Sequence, residues 1–209
     1  MGGCLDETEW EWSRAAKEAM QIWQKIETFA GLCELNARFM EGKIRFTPGW
    51  FGEGLDAESE PIAPYLAAFN RAGLLTVVSQ PGLDEGYSKQ RAFVEGFACE
   101  ATALRIERLS LCSNLYIYVA GPGESGGCRT AVTIDYLRPF TWAGDAALGE
   151  TGLFVQMQGY EAVCSDSAME DLKQTCFASV IDLCWGRTKY LWDTLAKELC
   201  FSLEPPQRD

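Results

Sequence analysis

The sequence predicts a single α/β domain in which a mixed β-sheet is flanked by helices, with a long amphipathic helix at the N-terminus and a further helix at the C-terminus. Two patterns predict this fold class. Apolar residues recur at helical spacing near both ends of the chain, and short apolar runs rich in β-branched and aromatic residues lie between them. A length of 209 residues suits one domain. We predict one domain over residues 1–209, with a helical segment at 9–42 and a sheet-containing core at 58–203.

The first predicted element is the N-terminal amphipathic helix. Its apolar stripe repeats at alternating intervals of four and three residues through Trp12, Ala16, Ala19, Trp23, Ile26 and Ala30. This spacing predicts a continuous helix from Glu9 to about Ala30. A shorter helix is expected after Gly31, ending near Gly42, and the glycines and proline of 43–57 predict a loop.

The middle of the chain predicts a helix followed by strands and a second helix. Ser59 is placed to cap a helix over Pro61–Arg71, and Gly73 is placed to end it. The elements expected next are a buried strand over Leu74–Ser79, a loop over 80–89, a strand or helix lead over 92–98 and a helix over 99–111.

The second half of the chain predicts strands interleaved with short helices. Leu115–Val119 and Thr130–Tyr136 are β-rich runs joined by the glycine-rich segment 121–127, which predicts a hairpin. The remaining expected elements are a strand over 153–157, a helix over 167–172, a strand over 177–184 and a helix over 188–201. This order favours a two-layer or three-layer domain with a mixed sheet over a strictly parallel, doubly wound one.

Composition excludes several function classes. The net charge of −12 argues against direct binding of nucleic acid or of an anionic membrane through a basic stripe. The absence of histidine removes catalytic triads and dyads that use an imidazole base, and zinc sites with histidine ligands. The acidic surface has two interpretations: it keeps the protein in solution, or it binds a basic protein partner in place of nucleic acid.

The cysteines indicate a reducing compartment. The chain has nine cysteines and no C-x-x-C pair, so neither a disulfide framework nor a zinc ribbon is expected. No apolar stretch is long enough to span a bilayer, and the N-terminus lacks the features of a secretory signal. We expect a cytoplasmic protein that does not enter a membrane, with no metal and no cofactor.

Two clusters of polar side chains lie at the ends of predicted strands. In the first, Ser79 and Gln80 end one strand, and Gln90 and Arg91 lie at the entrance of the next. Such a neutral to positive group occupies the position where α/β folds commonly bind a ligand. The alternative is a turn in which Arg91 bridges to a carboxylate.

The second cluster consists of Asp182, Trp185 and Arg187, between a predicted strand and the last helix. Trp185 is suited to stack on a planar ligand, and Arg187 is suited to hold a phosphate or carboxylate. The alternative is a strand-to-helix corner in which Trp185 belongs to the core.

Several short motifs carry a family resemblance. They are Asn70 to Gly73, Thr76, Ser79-Gln80-Pro81-Gly82, Gln90-Arg91, Asp182 and the closing Trp185-Gly186-Arg187. With them the chain resembles an uncharacterised family of small bacterial and phage proteins. Because both clusters belong to the shared motifs, the resemblance implies that they form one site. That family has no assigned activity, so the resemblance implies nothing about a reaction. Residues 115–165 do not share in the resemblance.

Three functions remain open from the sequence. The first is a small-molecule binding protein. Its ligand could be nucleotide-like, and its role could be that of a phage- or defence-related sensor or sponge. The second is an acidic inhibitor that blocks a basic, nucleic-acid-handling protein. The third is a histidine-free enzyme with Asp182 or Glu95 as the base and Arg91 or Arg187 as the anion clamp.

Overall fold

The structure is a computed structural model that describes residues 13–49, 52–124, 126–145 and 153–200. The described helices are α1 (Arg14–Trp23), α2 (Phe29–Met40), α3 (Ala63–Arg71), α4 (Glu100–Arg108), α5 (Leu153–Val163), α6 (Asp166–Lys173) and α7 (Tyr190–Cys200). The described strands are β1 (Phe46–Thr47), β2 (Gly52–Glu53), β3 (Leu74–Gln80), β4 (Leu83–Glu85), β5 (Ser88–Ala98), β6 (Leu115–Ala120), β7 (Gly127–Asp135), β8 (Arg138–Asp145) and β9 (Cys176–Trp185). Within these ranges, no helix is long and apolar enough to cross a membrane.

Strand β5 lies at the centre of the sheet. Its second half pairs with β3 on one edge and with β9 on the other, and its first half pairs with β4 and β7. Strand β6 adds to the far edge of β9, and β8 adds to β7. The short strands β1 and β2 form a separate ribbon.

The predicted α/β domain with helices at both ends is confirmed, but the strand directions differ from expectation. All pairs between described strands are antiparallel, so the parallel pairs of a mixed sheet are not found among them. The reason is strand insertion. Strands β5 and β6, which α4 connects, both run antiparallel to β9 and therefore parallel to each other, but β9 lies between them.

Helices cover both faces of the sheet and give three layers. Helices α1, α2, α5 and α6 pack on one face against Leu75, Val77 and Phe97. Helices α3, α4 and α7 pack on the other face, where Leu74 and Val180 belong to the core. Successive strand residues point to opposite faces, which is why the neighbours Leu74 and Leu75 lie in different cores.

The N-terminal helix is shorter than its apolar stripe predicts. Helix α1 ends at Trp23, and Thr28 caps the start of α2, with its Oγ1 accepting a hydrogen bond from the Gly31 N–H at 3.2 Å. A threonine cap requires extended backbone at Thr28, which separates the two helices. The expected continuous helix to Ala30 is therefore wrong, and its first part, residues 9–12, lies outside the described residues.

The predicted hairpin between Leu115–Val119 and Thr130–Tyr136 is also wrong. Strand β6 pairs with β9, and β7 pairs instead with β8, through a two-residue turn formed by Tyr136 and Leu137. Both turn residues have positive φ, 45° and 65°, as such a hairpin requires. The turn lacks the usual glycine or asparagine, so the sequence carries no signal for it.

One predicted strand is a helix. The run Leu153–Met157 begins α5, because the apolar pattern continues from Met157 through Tyr160 to Val163 at helical spacing. A short apolar run is compatible with either structure until its continuation is included. The other helices and strands expected after residue 58 are confirmed to within a few residues at their ends, apart from β4 and β8, which were not expected.

Candidate functional site

The fold brings the two predicted clusters together. Register between β5 and β9 places Arg91 opposite Trp185, and the guanidinium carbon lies 4.1 Å from the centroid of the indole ring. Arg91 also donates from Nε to the Leu183 carbonyl (3.0 Å) and from Nη1 to the Ala131 carbonyl (2.8 Å). Burial lowers the pKa of Arg91. The arginine thus bridges β5, β7 and β9 through backbone carbonyls, not through a carboxylate.

Gln80 joins the end of β3 to β7. Its Nε2 donates to the carbonyls of Arg91 and Val132, both at 3.1 Å, and its Oε1 accepts from the Thr133 hydroxyl at 2.9 Å. Gln90 contributes its backbone carbonyl, which accepts from the Gly186 N–H at 2.9 Å. The side-chain Oε1 of Gln90 is buried and has no hydrogen-bond partner among the described residues.

Asp182 and Arg187 form a closed ion pair. The Asp182 side chain is 0% exposed, and Arg187 donates to it from Nε at 2.5 Å and from Nη2 at 2.6 Å. The Cys184 N–H donates to the same carboxylate at 2.9 Å. The guanidinium of Arg187 lies over the Tyr190 ring at 3.8 Å, and its hydrogen bonds to Asp182 raise its pKa. Both oxygens of the Asp182 carboxylate therefore accept hydrogen bonds from within the protein.

A close backbone contact holds the two motifs side by side. A Cβ atom on Gly82 would lie 2.4 Å from the carbonyl oxygen of Arg187, which is too close for two non-bonded heavy atoms. The Pro81-Gly82 step therefore serves the contact between the β3–β4 turn and the segment after β9. Glu95, the second predicted base, lies away from this contact and accepts from the Gly144 N–H at 2.7 Å.

A cavity of about 480 Å³ lies beside the two joined clusters, where β3 ends at Ser79 and Gln80. Its walls are largely apolar and come from α2, α3, β3 and β5, with Phe39, Leu66, Val78 and Phe93 among them. The polar residues that line it are Asn36, Thr47, Asp56, Glu58, Ser59, Thr76, Ser79, Gln80 and Thr141. Of the predicted site residues, Ser79 and Gln80 line the cavity, whereas Gln90, Arg91, Asp182, Trp185 and Arg187 do not.

A buried hydrogen-bond network forms the floor of the cavity. The Asn36 amide donates to Asn70 Oδ1 (3.0 Å) and to the Thr76 carbonyl (2.8 Å), while its Oδ1 accepts from the Thr47 hydroxyl (2.9 Å). Asn70 donates to the Leu66 carbonyl and to Thr76 Oγ1, both at 2.7 Å. Thr76 Oγ1 acts only as an acceptor in these bonds, which leaves its proton without an acceptor among the described residues.

The sequence indicates only part of this floor. Asn70 and Thr76 belong to the motifs behind the family resemblance, but nothing there assigns them to a cavity. Asn36 carries a usable signal: it lies on the same buried face of α2 as Leu32, Leu35 and Phe39. A polar side chain on an apolar helix face must find a partner, because an unpaired buried amide is costly.

Residues 18–202 match the family model described as Domain of unknown function (DUF6919). The chain belongs to this family. The DUF6919 match takes in the cavity, its floor and both polar clusters, and it agrees with the resemblance to an uncharacterised family. No curated protein matches the chain.

The charged residues that line the DUF6919 cavity are all acidic. Two carboxylates, Asp56 and Glu58, lie at its lining, and neither lysine nor arginine is present among the described lining residues. Arg91 and Arg187 are outside this lining and bind internal partners. The cavity therefore presents hydroxyls, amides and negative charge to whatever enters it.

Proposed function

We propose that this protein binds a small organic molecule in the cavity at the end of β3, and that the ligand is neutral or positively charged. One observation carries the proposal: an apolar cavity of about 480 Å³ ends on a buried floor of amides and hydroxyls. Small-molecule sites have this form, with apolar walls for affinity and a few placed polar groups for orientation.

The hydrogen-bonding capacity of the floor supports a polar ligand group at its base. The hydroxyl proton of Thr76 is available as a donor, and Asn36 Oδ1 accepts one bond where an amide oxygen has room for two. Ser79 and Gln80 add further polar atoms along one wall. A ligand with one donor and one acceptor near an apolar body matches this pattern.

The charge of the lining argues against a phosphorylated ligand. A phosphate buried without cationic partners loses its hydration and gains no compensating ion pair. Protein sites for phosphate supply arginine, lysine or a helix N-terminus. Asp56 and Glu58 would repel it further. Of the nucleotide-like ligands considered from the sequence, an uncharged nucleoside or heterocycle suits the cavity better than a nucleotide.

The setting of this activity is also a proposal. We keep a cytoplasmic location, supported by the eight described cysteines, all of which are free thiols. We also keep the role of a phage- or defence-related sensor or sponge, in which the protein binds its ligand without converting it.

Native mass spectrometry of the protein purified from cells tests the proposal. A bound molecule appears as added mass, and it is released by denaturation and identified. Ser79→Phe fills the cavity from a half-buried position, and Ser110→Phe makes the same change at an exposed site outside it. We expect added mass in the wild type and in Ser110→Phe but not in Ser79→Phe. Added mass that persists in Ser79→Phe would show that the molecule binds outside this cavity.

Paired probes test the charge of the ligand. Thermal shifts are measured with a library of neutral and cationic compounds, and with adenosine against adenosine monophosphate. We expect no gain in stabilisation from the phosphate. Greater stabilisation by the monophosphate would contradict the charge argument, and a wild type that carries no molecule and responds to no neutral or cationic compound would overturn the binding proposal.

A further inference from the structure

A cluster of large apolar side chains is exposed at one end of the sheet. Tyr87, at the β4–β5 turn, is 70% exposed, and Tyr136, Leu137 and Phe140, in the β7–β8 hairpin, are 76%, 80% and 77% exposed. The rings of Tyr87 and Tyr136 stack with centroids 6.2 Å apart and an interplanar angle of 11°. We call these four residues the hairpin patch.

Three residues of the hairpin patch have an unusual backbone conformation. Tyr136 and Leu137 both have positive φ, which is rare for residues other than glycine, asparagine and aspartate. Phe140 is the extra residue of a β-bulge, because its neighbours Pro139 and Thr141 pair with the consecutive residues Ile134 and Thr133. Bulges redirect side chains, and backbone strain concentrates at functional positions.

The size of the patch suits an interface between two proteins. Aromatic side chains cover about 150–250 Å² each, so the exposed fractions give about 500–600 Å² of apolar surface on one molecule. That is at the upper end of the largest apolar patch on a typical monomer. Two such patches in contact would bury about 1,000–1,200 Å², the lower limit for a specific interface.

The charges at the edge of the patch favour a second copy of this chain over a basic partner. Asp84, Glu85 and Asp135 lie there with Lys89 and Arg138, and Asp84 pairs with Lys89 at 3.2 Å, so both signs are present locally. A basic protein would find an excess of only one carboxylate at this place. An apolar surface with mixed charges at its rim is complementary to itself in a two-fold arrangement, the commonest form of homodimer.

We propose that the hairpin patch is the contact surface of a weak homodimer. The proposal has a definite salt dependence. Each copy carries a net charge of −12, and this long-range repulsion is screened by salt, while the apolar contact is not weakened by it. Self-association therefore strengthens as sodium chloride is added. A complex with a basic protein would weaken under the same conditions.

Sedimentation velocity from low micromolar to several hundred micromolar protein, at low and high salt, tests the dimer. Leu137→Glu puts a charge into the patch, and Leu111→Glu adds the same charge at an 89% exposed leucine elsewhere. We expect the wild type and Leu111→Glu to approach twice the monomer mass, and dimerisation of Leu137→Glu and Phe140→Glu to be weaker by about tenfold or more.

Three results would overturn the proposal. They are a wild type that stays monomeric at the highest concentration and high salt, association that falls as salt is added, and equal association of Leu137→Glu and Leu111→Glu. Both leucines are exposed, so the substitutions leave the core intact, and far-UV circular dichroism checks that each variant is folded.

Discussion

Replacing Arg187 with methionine leaves the carboxylate of Asp182 buried without its guanidinium partner. Two charge-assisted hydrogen bonds are lost, and Asp182 keeps the bond from the Cys184 N–H. Breaking a buried ion pair from one side costs about 3–5 kcal/mol. The Arg187 side chain is 32% exposed, so water reaches the vacated place, and we expect the lower end, about 3 kcal/mol.

The double variant Asp182→Asn with Arg187→Met separates the buried charge from the lost packing. Asparagine is neutral and can still accept from the Cys184 N–H, so no unpaired charge remains. We expect the double variant to lose about 1 kcal/mol, less than Arg187→Met alone. Arg14→Met is the matched control, because Arg14 pairs with Glu18 on the surface of α1 and is 93% exposed. Its loss should be below about 0.5 kcal/mol.

Urea unfolding, followed by tryptophan fluorescence and far-UV circular dichroism, measures these differences. With an m-value of about 2–3 kcal/mol/M, a loss of 3 kcal/mol lowers the midpoint by about 1–1.5 M. A midpoint for Arg187→Met equal to that of Arg14→Met would refute the reasoning. So would a double variant as unstable as Arg187→Met, since the cost would then not arise from the buried carboxylate.

Two further predictions concern packing and thiol reactivity. Gly96→Ala should destabilise the sheet by about 3 kcal/mol or more, because its Cβ would lie 2.2 Å from the Leu75 carbonyl oxygen. Gly42→Ala, at φ +70° with no atom within 4 Å of the new Cβ, should cost only about 1 kcal/mol in the same urea assay, and equal losses would contradict the clash. Burial raises the pKa of Cys33, and it raises that of Cys164 to about 12, so both thiols should remain protonated and resist iodoacetamide in the native protein. Peptide mass spectrometry should find the exposed Cys112, Cys128 and Cys184 modified first, and equal rates at all five would show that these thiols are accessible.

Local signals predicted most helices and strands but not their ends. Gly73 and the apolar runs of β3, β6 and β9 act within a few residues, and the elements they predict are present. The predicted Ser59 cap is wrong: its side chain makes no capping hydrogen bond, and a 3-10 turn over Glu60–Ile62 precedes α3. Thr28 is also a local signal, but the stripe from Ala16 to Ala30 obscured it. Where a run was short, as at Leu153–Met157, helix and strand could not be separated until the following residues were considered.

The candidate site was only partly accessible from the sequence. Arg91 and Trp185, which the family resemblance assigns to one site, are in contact because β5 and β9 pair. The partners of these groups are distant in sequence: Arg91 donates to Ala131 and Leu183, and Gln80 bonds to Val132. Whether the predicted residues bind a ligand stays a prediction, while the cavity beside them depends on Asn36, which no motif includes.

The sequence by itself determined the α/β class, the amphipathic helices, most strands and the exclusion of histidine chemistry, because these depend on composition and on periodicity within one element. Only the tertiary structure decided that β9 inserts between β5 and β6, that Asn36 and Asn70 meet Thr76 under a cavity, and that four apolar side chains remain exposed on the hairpin tips. The physical reason is the same in each case. Strand order, buried hydrogen bonds and exposure are set by contacts between segments far apart in the chain, and a periodic pattern shows which face of an element is apolar but not which element covers it.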